Sequence, residues 1–553
     1  MKRQFAFLAA LAGAVLLQAQ TPDFFQPYRK TDLRMPAVPI VVNDPYFSIW
    51  SPFDKLNEGT TRHWTGAEKP LTGLLRVDGE TYRFMGAENK NFQTLLPMGK
   101  DEAWSAPCAM TAQPAGWEKP DFNDSGWKTQ TGAFGSENQP GVRTSWSAEN
   151  SDVYVRRTVD LTTEDAQGEL YLRYSHDDVF EVYINGVKVL DTGNTWKSDQ
   201  ELQLTGKAKE ALHAGKNVIA AHCHNTVGGA LLDYGLYRNV TAGQLTVKPA
   251  VQKSVSVLAT SSYFTFACGG VDLDLVFTAP MIINDYDLLS TPINYISYQV
   301  RATDKKSHQV EFYLDATPEM ALNNGNLPSV TTTETVGATQ YVKTGSIEQP
   351  ILAKKGDGIC IDWGYFYLPA VNGHVSLGNY QETQRHFIEK GELPASKEKI
   401  VARQALETPA LAYEHDFGQV DSTPKSSFTM VGYDEVEDIE YLYHRYKAYW
   451  AHEGKVTIFD AFDRLKNNYT DIMKRCRETD RQIYDDGLNS GNAHYAEILS
   501  GSYRHVIAAH KLFVDNNGNL LFFSKENNSN GSVNTVDLTY PESPLFLMYN
   551  PEL

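Results

Sequence analysis

The feature that most constrains this chain is a change of hydrophobic period near residue 430. Before it, apolar side chains alternate with polar ones in short runs; after it, they recur every three or four residues. A period of two lines one face of a strand, and a period near 3.6 lines one face of a helix. The chain must therefore build sheets first and helices afterwards, with a domain boundary where the period switches. Two turn signals reinforce the first part. Asp78-Gly79 joins Leu71 to Val77 with Thr81 to Met85, and Asn185-Gly186 joins Val179 to Ile184 with Val187 to Leu190. Both dipeptides suit the two positive-φ positions of a tight hairpin.

Taken in order, residues 21–100 read as an N-terminal β segment packing on a sandwich, with Ala37 to Trp50 as a strand, a turn and a second strand. Residues 101–245 form a module of many short strands and no long helix, as in a jelly roll. Residues 246–425 carry longer strands, among them Val271–Thr278, Ile293–Arg301 and His308–Asp315, and predict a large two-sheet sandwich. The helical period then predicts three helices, over Asp434–His452, Thr457–Asp480 and Asn492–Val514. Three helices and a loop leave apolar faces unpaired, so the domain over 426–553 is expected to continue past Leu553.

At 553 residues the chain exceeds a single core, since domains average about 150 residues. A net charge of −18 without a basic stripe argues against nucleic acid as a partner. Met1-Lys2-Arg3, the apolar run Phe5 to Leu17 and Leu17-Gln18-Ala19 predict a signal peptide over residues 1–20 and an exported, periplasmic or extracellular protein. That run is too short to span a bilayer, and no other run reaches membrane length. The five cysteines are scattered and contain no C-x-x-C, which indicates neither a disulfide framework nor a thiolate zinc site. His222 and His224, at i and i+2 of a strand, share a face and suit a metal only if a carboxylate joins them; the reading kept is of polar core or surface histidines. No metal or cofactor is expected, and oligomeric state has no signature here.

The candidate chemistry lies mainly in Leu521–Leu553, where Lys525 to Asn530 form a polar run boxed by apolar residues. Amide hydrolysis needs an activated nucleophile, a base and oxyanion donors. Lys525 and Glu526 offer a charged pair, Asn527 and Asn530 offer donors, and Ser524 or Thr535 offer hydroxyls. Glycoside hydrolysis needs two carboxylates across a sugar-sized gap, for which Asp434, Glu435, Glu526 and Asp537 are available. Arg62-His63-Trp64 reads either as a substrate-contacting loop or as an inter-domain plug, and Lys525–Asn530 either as a site or as a tie to the sandwich.

Two resemblances add to this. Trp117, Phe122, Asp124 and Trp127 in a W-x4-F-x-D-x2-W pattern, with Ser175 to Gly186 and the His224-to-Asp233 end, resemble the galactose-binding-like sandwich appended to many β-galactosidases. Val38 to Trp50, Thr61 to Gly66, Gly269-Gly270-Val271 and Phe523 to Leu553 resemble the secreted glutaminase A-type family. Together they imply a multidomain, mainly β protein: a galactose-binding-like jelly roll and a large β-sandwich, followed by the start of an α-helical (α/α)6 six-hairpin toroid, most of which would follow Leu553. The family's activity, hydrolysis of L-glutamine to glutamate and ammonia, is what the resemblance implies here. On this reading Glu526, Lys525, Asp537 and Asp434 are the catalytic candidates, and Asn527, Asn530, Arg62, His63 and Trp64 the substrate-binding ones. The substrate is a small molecule, glutamine or a saccharide. The alternatives are a glycoside hydrolase of carbohydrate metabolism and a non-catalytic carbohydrate-binding scaffold.

Overall fold

Asp78 and Gly79 take φ of 51° and 88°, and Asn185 and Gly186 take 48° and 86°, so both predicted hairpins close through paired positive-φ turns. They lie in different parts of the molecule. In this computed structural model residues 23–553 are described, apart from 88–91, 138, 140, 241–246, 324, 326, 354–359, 403–408 and 526–532. The chain divides into two compact units, Met1–Glu88 with Leu245–Leu553, and Asn89–Gln244.

In the first unit, one sheet has six strands in the order Val247–Pro249, Glu80–Met85, Leu71–Val77, His308–Ala316, Pro409–Val420 and His374–Asn379. A second has nine, running from Val251–Val257 through Ser261–Cys268, Val271–Thr278, Ile293–Ala302 and Lys425–Asp434 to Tyr365–Pro369, Thr339–Ser346, Ser329–Val336 and Lys399–Ala402. Alternate residues of both sheets meet in one apolar core that includes Leu75, Phe84, Phe266, Leu273, Phe312 and Val431. Phe312 is the hinge of its stacking, 3.8 Å from Tyr298 and 5.4 Å from Phe84 between ring centroids. Full burial of such a side chain is worth about 1.5–3 kcal/mol.

The helices are laid on the nine-stranded sheet. Ile458–Asn467 begins at a capping box between Thr457 and Asp460. Its buried Ile458, Ala461, Phe462 and Leu465, spaced three and four apart, pack on Tyr295, Tyr341 and Tyr367. Tyr469–Ser490 and Ala493–Ala508 pack on each other where Gly487 admits close approach; a Cβ there would stand 2.6 Å from the Ala496 Cα. Asp480 fastens the longer helix to the sheet, accepting from the Thr260 N–H at 2.6 Å and hydroxyl at 2.9 Å.

Four expectations are corrected. The predicted helix Thr457–Asp480 is two helices, Ile458–Asn467 and Tyr469–Ser490, separated at Asn468, whose backbone leaves the helical region at φ −107° and ψ 15°. Asp434–His452 is not a helix. The strand Lys425–Asp434 ends there, a small hairpin of Ile439–Tyr441 and His444–Tyr446 follows, and a short 3-10 segment covers Tyr449–Gly454. The predicted helix Asn492–Val514 stops at Ala508, and His510–Val514 pairs antiparallel with Leu520–Ser524. The segment Val536–Tyr549, part of the loop expected after the third helix, is helical although it contains Pro541 and Pro544. Leu545, Phe546 and Tyr549 anchor it against a buried cluster that contains Trp50, Tyr503 and Leu512, so tertiary packing overrides the proline penalty.

The second unit pairs two six-stranded sheets around Phe134, Val155, Leu172, Phe180, Ile219 and Leu236. Both predicted face-sharing histidines meet Asp152 Oδ1, His222 at 2.8 Å and His224 at 3.0 Å, and the other His222 nitrogen lies 3.2 Å from Glu181. The carboxylates are thus partners of these imidazoles. Cys108, Cys223, Cys268, Cys360 and Cys476 are all buried and unbridged. Among the described residues, no helix is long and apolar enough to cross a membrane.

Candidate functional site

The turn between the strands Val38–Val42 and Ser48–Ser51 carries Asn43-Asp44-Pro45-Tyr46, and the site grows around it. Asp44 Oδ1 accepts from the N–H groups of Tyr46 and Phe47 at 2.9 and 3.0 Å, which closes the turn. The Pro45 carbonyl, left over by that turn, accepts from His63 Nε2 at 3.0 Å and from Trp64 Nε1 at 3.1 Å. His63 is thereby fixed with its proton on Nε2, and Nδ1 accepts from the Thr65 N–H at 3.2 Å. Burial, with Lys69 nearby, pushes its pKa well down, so the ring stays neutral.

Arg62, His63 and Trp64 line one cavity of about 460 Å³, with Trp50, His505 and Glu542 on its other walls. The sequence singled out the first three. Arg62 is held by Glu68 at 3.1 Å. His505 stands edge-on to Trp50, ring centroids 4.9 Å apart. Glu542 comes from the helix Val536–Tyr549, and its Oε2 lies 3.4 Å from His510 Nε2. His510 donates from Nδ1 to the Val506 carbonyl at 2.6 Å, so Nε2 faces the carboxyl without a proton. Burial raises Glu542 to about 7 and lowers His510 to about 4. Between those values both groups are neutral, and Glu542 holds a proton that can be given up near neutral pH.

Behind the turn lies a buried charge cluster. Lys511 Nζ, on the strand after the helix Ala493–Ala508, is 2.8 Å from Asp44, 2.7 Å from Glu435 and 3.4 Å from Asp438. Burial and the Asp44 carboxylate push Glu435 well up, so it tends to keep its proton. Burial opposes the charge on Lys511, but the three acidic neighbours outweigh it and raise its pKa. Its ammonium takes the place between the carboxylates that a cation would otherwise fill. Next to Glu435, Val436 sits at φ 65°, a conformation that costs a β-branched residue on the order of 1–3 kcal/mol. Lys511 and Lys525 both approach the Tyr46 ring, at 6.0 and 5.6 Å from its centroid.

Of the sequence candidates, Arg62, His63 and Trp64 meet at the cavity, and Lys525 is buried beside Tyr46. Asp434 is half-buried and caps the turn into the acidic run, accepting from the Val436 N–H at 2.9 Å. Asp537 is exposed in the first turn of the last helix. Glu526, Asn527 and Asn530 lie outside the described residues. The sequence reading missed Trp50, His505, Glu542, Asp44 and Lys511. The turn text Asn43-Asp44-Pro45 was a usable signal for Asp44; nothing local marks Glu542.

Three family models match the chain: a domain of unknown function (DUF4964) over residues 9–97, a domain of unknown function (DUF5127) over 260–486, and the glutaminase A six helical-hairpin domain over 492–553. Glutaminase A of Aspergillus oryzae is 26% identical over 328 residues, which are 56% of this chain and 46% of that protein. The chain thus spans about half the length of the curated relative it matches. Among solved structures, a calcium-binding mutant of Bacteroides uniformis β-glucuronidase 2 aligns at 10% identity and a TM-score of 0.21, covering 47% of this chain and 31% of that one. Bifidobacterium dentium β-glucuronidase with coumarin-3-O-glucuronide aligns at 11% and 0.22, covering 53% and 50%.

Proposed function

We propose, from a chain whose family matches and curated relative fit the glutaminase A-type family, that it belongs to an exported hydrolase cleaving the side-chain amide of L-glutamine. The supporting observation is the cavity that gathers Arg62, His63 and Trp64 with a carboxyl, Glu542, held near neutrality. In this reading Arg62 receives the substrate carboxylate, since a guanidinium forks onto two oxygens. Trp50 and Trp64 supply flat apolar walls for its methylenes, and locked His63 positions Trp64. Glu542 takes a proton from the attacking water and passes it to the departing ammonia. His505 offers a ring N–H to the oxyanion, and the buried Lys511 and Lys525 add positive charge behind Tyr46.

The test is ammonia release from L-glutamine by the full-length gene product. Glu542→Gln should lower kcat by about 10² or more, the usual worth of a positioned acid–base group. Arg62→Met should raise KM with a smaller effect on kcat. The kcat profile should show a limb near pH 7 that Glu542→Gln removes. Full activity in Glu542→Gln would take that residue out of the mechanism. No ammonia from glutamine, with sugar released from aryl glycosides, would move the chain to the glycosidase reading.

A further inference from the structure

His494 and Glu497 are three residues apart in the helix Ala493–Ala508 and so share a face. Asp32 reaches that face from the extended segment that leads into the strand Val38–Val42. One ligand atom from each of the three lies within 4.8 Å of the other two. Glu497 is buried and oriented by the backbone: the Asp32 N–H donates to its Oε1 at 3.4 Å and the Leu33 N–H to its Oε2 at 2.9 Å. Those bonds bring Asp32 to the helix and leave Glu497 further lone pairs. Outer donors hold metal ligands in the same manner. Among the described residues, no hydrogen bond or ion pair engages the Asp32 carboxylate or the His494 ring. An imidazole and two carboxylates therefore converge without closing on one another.

We propose that Asp32, His494 and Glu497 bind a divalent transition-metal ion of the Zn²⁺ type, pinning the N-terminal segment to this helix. Metal–ligand bonds of about 2.0–2.2 Å set ligand atoms roughly 3.3–3.5 Å apart, which small rotations of two exposed side chains supply here. One nitrogen and two oxygens suit Zn²⁺ over Ca²⁺ or Mg²⁺, which prefer all-oxygen shells. The helix dipole opposes a cation in this first turn with about half a charge, against two full carboxylate charges. Three protein ligands leave a position for water, and the exposure of Asp32 and His494 gives access to it.

The test uses the full chain, free of affinity tags and stripped by chelator, titrated with Zn²⁺ and separately with Co²⁺ as an optical probe. The expected result is a single tightly held ion per chain, Co²⁺ visible bands displaced by Zn²⁺, and a higher unfolding temperature with Zn²⁺. His494→Ala and Asp32→Asn, both at exposed positions, should each weaken binding by about tenfold or more and abolish the thermal shift, with the circular dichroism unchanged. Failure to retain an ion overturns the proposal, as does binding that neither substitution alters or equal binding of Mg²⁺.

Discussion

Lys511 joins three acidic side chains that arrive from two stretches of the chain, Asp44 from one and Glu435 and Asp438 from the other, and its removal isolates them. Lys511→Met leaves Asp44, Glu435 and Asp438 without their shared ammonium, and breaking a buried pair in this way costs about 3–5 kcal/mol. A large fall in the denaturation midpoint is expected; an unchanged one would show the cluster to be neutral throughout. Asp480 gives a second prediction, in pH. Burial raises its carboxyl to about 7 despite the Thr260 hydrogen bonds and the Arg504 charge. The folded chain therefore binds this proton more tightly than the unfolded chain, whose value is near 3.8. The stability it contributes is complete below that value and is lost as pH rises through about 7. Asp480→Asn keeps an oxygen for both Thr260 donors, so it should flatten the decline in stability between pH 5 and 8. Glu542 adds a loss of the same sign. At this scale the sequence showed Arg62, His63 and Trp64 because they are contiguous. It hid Glu542 because that carboxyl reaches the cavity only when a helix from the far end of the chain is folded against the cluster that contains Trp50.

The hairpin Ile439–Tyr441/His444–Tyr446 explains the main error in reading elements. Val436, Ile439, Leu442, Tyr443 and Tyr446 imitate a helical stripe, yet the turn is made by Leu442 and Tyr443 at φ 49° and 67°. These two side chains are 67% and 97% exposed, so the periodicity was not reporting a buried face. No Asn or Gly marked the turn, and that is why it could not be seen. Replacing Leu442-Tyr443 by Asn-Gly should stabilise the protein by about 0.4–1 kcal/mol, because the new residues accept positive φ without strain. The same change inside a helix would cost about 1 kcal/mol or more, so the sign of the shift in thermal unfolding separates the two structures. The Asp78-Gly79 and Asn185-Gly186 hairpins were legible for the converse reason, since their turn residues are the ones the backbone angles require.

Over the whole molecule, Asn89–Gln244 has its own core of two facing sheets, distinct from the core of the larger unit. Expressed alone, this segment should fold and unfold cooperatively, with dispersed amide resonances; a collapsed, uncooperative product would show that it depends on its host. Such independence fits the break in family matches between residues 97 and 260. The buried cysteines then acquire a use unrelated to catalysis. Cys108 and Cys223 lie in the one unit, and Cys268, Cys360 and Cys476 in the other. A thiol reagent can reach each only when its surroundings open. Pulse labelling followed by peptide mapping would therefore time the opening of each unit separately, in the unaltered protein, with the cysteines serving as clocks already installed.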